Sequence, residues 1–229
     1  MEPVEPHPKS SVPTISELLL SRGWLDLTCA TEGSSYSVLV ERAPADASQP
    51  YRLSLGELAV ASLFARGLSS KEVGAELSLS DTTARGALLR ACKKLGVRAA
   101  QLPLFWYALE SVDPVSLAPA GGGARLRYEV DVGALTPRAL TVSERALVLQ
   151  LLLGRSNAEI ARFRDVSTQT IANQLHTLFG KLKASSRGEL AASLLCTRGT
   201  PAERSQARLP FGHSPKPSGV EDSWGGMFG

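Results

Sequence analysis

The spacing of apolar residues marks two stretches of this chain as near copies of one another. In "STQTIANQLHTLFGKL", residues 167 to 182, Ile171, Leu175, Leu178 and Leu182 recur at steps of three and four. That is the period of a helix with one buried face. Gln169, Asn173, His176 and Lys181 fall off that face, so the pattern predicts a helix that turns amides and basic groups outward. "SDTTARGALLRACKKL", residues 80 to 95, has the same rhythm, with Ala84, Leu88, Ala91 and Leu95 inward. Two shorter apolar groups precede each stretch. Val60, Ala61, Leu63 and Phe64, then Val73 and Leu77, precede the first; Leu147, Val148 and Leu151, then Ile160 and Phe163, precede the second. Each segment therefore reads as three helices in succession.

Written out, residues 53 to 102 and 140 to 189 align without a gap at a constant offset of 87, with 11 of 50 positions identical. The shared positions carry the punctuation. Ser54-x-x-Glu57, Ser69-x-x-Glu72, Thr141-x-x-Glu144 and Ser156-x-x-Glu159 are capping boxes, in which hydroxyl and carboxylate satisfy the free amides of a helix start. Ser80 and Ser167 suit the N-cap of the third helix. Gly67 and Gly154 stand where the first helix must stop, in the left-handed conformation that glycine favours. Both copies predict helix, glycine stop, capped helix, tight turn, capped helix, which is a helix-turn-helix order.

Between and around these segments the period changes. "TISELLLS" at 14 to 21 opens with Thr14-x-x-Glu17 and predicts a short helix. "WLDLTCA" and "YSVLVER" flank "TEGSS" and predict a β-hairpin. Shifted by 87, that region meets "GGG", a candidate turn, and "LRYEVDV", a candidate strand. "PLFWYALESV" at 103 to 112 closes the first copy with Leu104, Phe105, Trp106 and Tyr107 packed together. The divisions that follow are an N-terminal segment 1–13 without structure and a helix-plus-hairpin element 14–48. After these come a first helical domain 49–112, a linker or second hairpin element 113–136, and a second helical domain 137–197. The stretch 198–229 is rich in Pro, Gly and Ser and reads as a disordered tail, with Trp224 and Phe228 as candidate anchors for a protein partner.

Charge sharpens the picture. The formal net charge is +3, but residues 53 to 102 and 140 to 189 each hold seven Lys/Arg against four Asp/Glu, whereas the first 52 residues hold four against seven. Two basic segments on an otherwise acidic or neutral chain suit a polyanion. No apolar run approaches the roughly 20 residues of a membrane helix. The acidic, proline-rich start lacks the basic-then-apolar order of a signal peptide, so a cytoplasmic protein is expected. Cys29, Cys92 and Cys196 are odd in number and far apart, which argues against a disulfide framework and a thiolate metal site. His7, His176 and His213 are scattered, and no nucleophile–base pairing, phosphate loop or metal spacing is present, so neither an enzyme nor a cofactor is expected.

At these residues the sequence resembles the LuxR-type (GerE) helix-turn-helix domain of bacterial transcriptional regulators. The second copy carries the pattern as Leu140-Thr141, Glu144, Gly154, "SNAEIA" at 156 to 161, "STQTI" at 167 to 171 and Lys181-Leu182. The first carries Leu53-Ser54, Glu57, Gly67, "SSKEVG" at 69 to 74, "SDTTA" at 80 to 84 and Lys94-Leu95. The resemblance implies a mainly α fold with small β-hairpins: two tandem helix-turn-helix domains, each preceded by a hairpin element. It implies a DNA-binding transcriptional regulator, associated with the nucleoid, whose partner is double-stranded DNA.

By the same resemblance the third helix of each copy enters the major groove. Arg85, Gly86 and Leu89 then face the groove from the first copy, and Ala172, Asn173 and His176, with Gln169 beside them, from the second. Asn bonds adenine through two edges and Arg bonds guanine, so Asn173 and Arg85 are the candidates for reading bases. Thr83, Thr170, Lys94 and Lys181 become phosphate contacts, with Lys71, Arg90 and Lys93 adding to the field. The fourth helix is commonly the dimerising surface, so residues 103 to 112 serve either a homodimer, an intramolecular pseudo-dimer, or plain core packing.

Several positions depart from the family pattern. Ala172 replaces a common Lys or Arg. Arg164 stands where a core leucine is usual, leaving Phe163 to fill that space. Gly86 lies inside a reading helix, Gly74 replaces alanine, and Ala100 replaces arginine. These departures leave open an alternative, a protein-interaction module that keeps the fold without reading DNA.

Overall fold

The computed structural model describes residues 19, 24–42, 53–117 and 125–195 of the chain. Their helices start where the capping residues dictate. In the first helix, α1 (Leu55–Ala65), Ser54 Oγ accepts from the Glu57 amide at 3.2 Å while Glu57 accepts from the Ser54 amide at 2.8 Å. The reciprocal pair recurs at the starts of α2 (Ser70–Leu77), α5 (Val142–Leu152) and α6 (Asn157–Arg164). Ser80 and Ser167 cap the third helices, α3 (Asp81–Leu95) and α7 (Thr168–Leu182). The glycine stops fall where expected, with φ +90° at Gly67 and +73° at Gly154. Both ends of α1, α2 and α3 lie 87 residues before the ends of α5, α6 and α7. A fourth helix follows each set: α4 (Leu102–Ser111) and α8 (Arg187–Leu195).

The strands among the described residues form one sheet. β1 (Trp24–Glu32) and β2 (Ser35–Arg42) make the expected hairpin around Gly33, and β3 (Val115–Leu117) pairs with β4 (Arg125–Asp131). β2 and β4 are adjacent and antiparallel, so the order is β1-β2-β4-β3. Tyr36 faces Val130, Val38 faces Tyr128 and Val40 faces Leu126, and all six are buried. Alternation at period two thus turns one face of the central pair into the core, where α4 packs against both strands.

The two helical units interlock by reciprocal contacts. The Gly67 turn of the first unit lies against the start of α8. A Cβ at Gly67 would come within 2.7 Å of Ala192 Cβ and 3.1 Å of the Gly188 carbonyl oxygen. The Gly154 turn of the second unit lies against the start of α4, where a Cβ would stand 3.1 Å from the Gln101 nitrogen. Gln101 and Gly188 are themselves 87 residues apart, so contact i to j in one direction is matched by its equivalent in the other. That reciprocity is the mark of an isologous, two-fold interface, here within one chain. α4 also packs against α8, and Arg98 bridges to Glu159 at 3.0 Å. One hydrophobic core runs through both units and the sheet, from Tyr36 and Val60 to Phe105, Leu147 and Leu190.

One expectation is overturned. Phe163 does not fill the space left by Arg164; it is 66% exposed, and the Arg155 guanidinium lies over its ring at 5.0 Å. Arg164 instead spans three helices, donating to Gln174 on α7 at 3.0 Å and to Ser143 on α5 at 2.6 Å. A polar brace substitutes for the apolar plug, and the ring is left under a cation. The residues predicted as a "GGG" turn, as both terminal segments and as most of a 14–21 helix lie outside the described residues. Leu19 is buried, and its carbonyl accepts from the Leu53 amide at 3.1 Å.

Gly67→Ala and Gly154→Ala each force a side chain into a positive-φ position and into the opposite unit. Each is expected to cost about 1–3 kcal/mol, measured by denaturant unfolding. Gly180→Ala, in a helix with nothing near its Cβ position, is expected to be neutral or to stabilise by up to about 1 kcal/mol. Equal effects at all three positions would contradict the interlock.

Candidate nucleic-acid interface

Within each unit a three-residue turn joins the second helix to the third. It is tight in both, with Ser78 at φ +54° and Asp165 at φ +51°. In the first unit the Leu79 amide bonds the Gly74 carbonyl at 2.7 Å, and a Cβ on Gly74 would meet the Leu79 oxygen at 2.7 Å. In this unit the turn closes too tightly for a Cβ at that position. The second unit, with Ala161, makes the equivalent bond from Val166 at 3.0 Å.

The third helices bury one face each: Ala84, Ala87, Leu88, Ala91, Cys92 and Leu95 on α3, and Ile171, Leu175 and Leu178 on α7. Of the residues proposed to meet DNA, Arg85, Leu89, Arg90 and Lys93 are exposed on α3, with Gly86 half-buried; Lys71 is exposed on α2. On α7, Gln169, Thr170, Asn173, His176 and Lys181 are exposed and Ala172 is half-buried. Thr83 and Thr170 are exposed too, but each hydroxyl bonds its N-cap serine at 2.8 Å.

The exposed faces differ in chemistry. On α3 the Arg85 Nε bonds Ser70 Oγ at 3.1 Å and lies 3.3 Å from Asp81, tying the second helix to the third. Hydrogen bonding from Ser70, followed by the Arg85 charge, holds the Asp81 carboxyl below its ordinary value. Both contacts hold Arg85 through its Nε. On α7, where Ala172 replaces that arginine, Gln169 Nε2 donates to Asn173 Oδ1 at 3.0 Å. This fixes the Asn173 amide with its own donor end turned away from Gln169. Leu89, 66% exposed, occupies the place that His176 takes in the second unit.

The two lysines expected to contact phosphate, like the two threonines, have intramolecular partners. Lys94 reaches Glu57 at 2.6 Å, and Lys181 pairs with Glu144. These carboxylates are the same ones that close the capping boxes of α1 and α5, so in each unit one glutamate joins the start of the first helix to the end of the third. Arg90 adds a longer contact to Glu57 at 3.6 Å. Lys71 and Lys93 have no ion-pair partner among the described residues. Sequence reasoning missed the Lys–Glu ties because their members stand 37 residues apart; the recurrence of both residues at the offset of 87 was the available signal. It also missed Arg187, which stands where the first unit has Ala100. Arg187 donates to the Arg155 carbonyl at 2.7 Å and bonds the Asn157 side chain, bracing the turn before α6.

Among the described residues no helix is long and apolar enough to cross a membrane. No group of three His, Cys, Asp or Glu among them could hold a metal ion. Cys29 and Cys92 are free thiols, and burial raises both.

The hydrogen bond from Lys181, followed by that from the Thr141 amide, lowers Glu144 from 4.5 to about 2. A depressed carboxyl stabilises the fold when ionised, and that contribution is lost as pH falls from 4.5 towards 2. Glu144→Gln is therefore expected to lower the thermal midpoint at neutral pH and to flatten its decline across that window. Lys181→Ala should do the same, and an acid slope unchanged in both variants would contradict the tie.

Residues 138–194, which span α5 to α8 almost completely, match the family model described as GerE, bacterial regulatory proteins, luxR family. Neither the curated proteins nor the solved structures contain a match to this chain. The second helical unit is thus one LuxR-family helix-turn-helix domain, the module of a family of DNA-binding transcription regulators.

Proposed function

We propose that the protein is a sequence-specific, DNA-binding transcriptional regulator of bacterial type. In this reading the first helical unit is a second, tandem LuxR-type domain. The observation that carries it is the family match over α5 to α8, joined to a third helix whose outward face is built from Gln169, Asn173 and His176. Support for the first unit comes from its helix ends, which repeat those of the second at a constant offset, and from the same four kinds of capping and stop residue.

The roles divide by chemistry. Asn173, braced by Gln169, presents an amide suited to adenine, and Arg85, held through Nε, presents two terminal nitrogens suited to guanine. Lys71, Arg90 and Lys93 supply the charge that holds the backbone without regard to sequence. Lys94 and Lys181 serve first as internal ties and only secondarily as part of the positive field.

Binding of the full chain to duplex fragments, followed against salt, tests this directly. Affinity is expected to fall steeply, with a slope near −0.9 per phosphate neutralised. Lys93→Ala should weaken all sequences alike and reduce that slope by about 1. Asn173→Ala and Arg85→Ala should cost about 1–3 kcal/mol on the preferred sequence and relax the choice of base. No binding, or affinity indifferent to salt, would refute DNA recognition. Unaltered preference in both base-reading variants would refute the assignment.

A further inference from the structure

We infer that one chain, acting alone, occupies one asymmetric DNA site composed of two unlike half-sites at fixed spacing. The inference rests on the DNA reading proposed above and adds to it the form of the site and the number of chains on it.

The first ground is the interface between the units. Gly67 against Gly188 and Gly154 against Gln101 are equivalent contacts made in opposite directions. β2 lies antiparallel to β4, and α4 packs against α8. These are the contacts through which two separate chains would form a two-fold dimer, and here the chain makes them with itself. Arg98 to Glu159 adds an ion pair between the units. The fourth-helix surfaces are consumed: Leu102, Leu104, Phe105 and Leu190, Leu195 are buried in the common core. α3 and α7 are equivalent elements at the offset of 87, so the two-fold relation sets them at equal heights along its axis.

The second ground is that the relation is only approximate in chemistry. A two-fold dimer of identical chains presents the same reading face twice, and its operator mirrors that symmetry. Here equivalent positions carry Arg85 and Ala172, Gly86 and Asn173, Leu89 and His176, and Lys93 and Gly180. Not one of these pairs is alike. α3 offers a fixed guanidinium, cationic flanks and an exposed aliphatic group, which suit guanine, phosphate and a thymine methyl. α7 offers a paired amide and an imidazole, which suit the edge of adenine and a second acceptor. The internal symmetry fixes where the two faces stand, and the divergence of their residues makes the two halves of the site different.

Selection of the full-length chain on randomised duplexes, with native mass spectrometry of the selected complexes, tests the inference. The expected motif has two non-palindromic blocks and one chain per duplex. Asn173→Ala should relax one block and Arg85→Ala the other, each lowering discrimination roughly 5- to 150-fold at the base concerned. Inserting about five base pairs between the blocks, half of the roughly 10-base-pair turn, should lower affinity at least tenfold. A palindromic motif held by two chains would overturn the inference while leaving DNA recognition intact. So would blocks that tolerate the insertion. No enriched motif together with salt-independent binding would overturn DNA recognition itself, and this inference with it.

Discussion

The structure depends on the close approach of two glycine turns to two helix starts. Gly67 and Gly154 each end a first helix at positive φ, and each turn then lies against the fourth helix of the opposite unit. Without a side chain at those points the backbones come close enough for α4 and α8 to share one core. Two small helical bundles, each with little apolar interior of its own, thereby bury a common one. The burial of α1 beyond its first turn, where Leu58, Val60, Ala61, Ser62, Leu63 and Ala65 are enclosed, follows from contact on both sides.

The same interlock organises the exposed surface. Within each unit a capping-box glutamate ties the start of the first helix to a lysine at the end of the third, Glu57 to Lys94 and Glu144 to Lys181. In the second unit Arg164 and Arg187 add polar braces around α6 and α7. In the first, Arg85, Ser70 and Asp81 lock α2 to α3. The third helices are thus held by charge and hydrogen bonding on their flanks and by apolar packing beneath, which leaves their outward residues free to diverge.

Much of the architecture was legible in the sequence because its signals are local. The capping boxes at Ser54, Ser69, Thr141 and Ser156, the glycine stops, and the alternation of "YSVLVER" each act within a few residues, and the structure has helices and a hairpin there. What could not be read depends on distant neighbours. The pairing of β2 with β4 joins residues about 90 apart, and the Lys–Glu ties join residues 37 apart. Phe163 fits the apolar period of α6, yet Arg164 finds partners on α5 and α7 and the ring stays outside. The candidate site was legible as a list of exposed positions on two helices, whereas which lysines have internal carboxylate partners was not.

The central claim is that the two helical units and the sheet between them behave as one locked body. Native-state hydrogen exchange of the amides in α4 and α8 tests it most directly, because both helices lie at the junction and neither belongs to the reading surface. The account predicts that their slowest amides share one opening free energy, equal to that of global unfolding. Exchange from α4 through a separate, lower-energy opening while α8 remains protected, or the reverse, would contradict it.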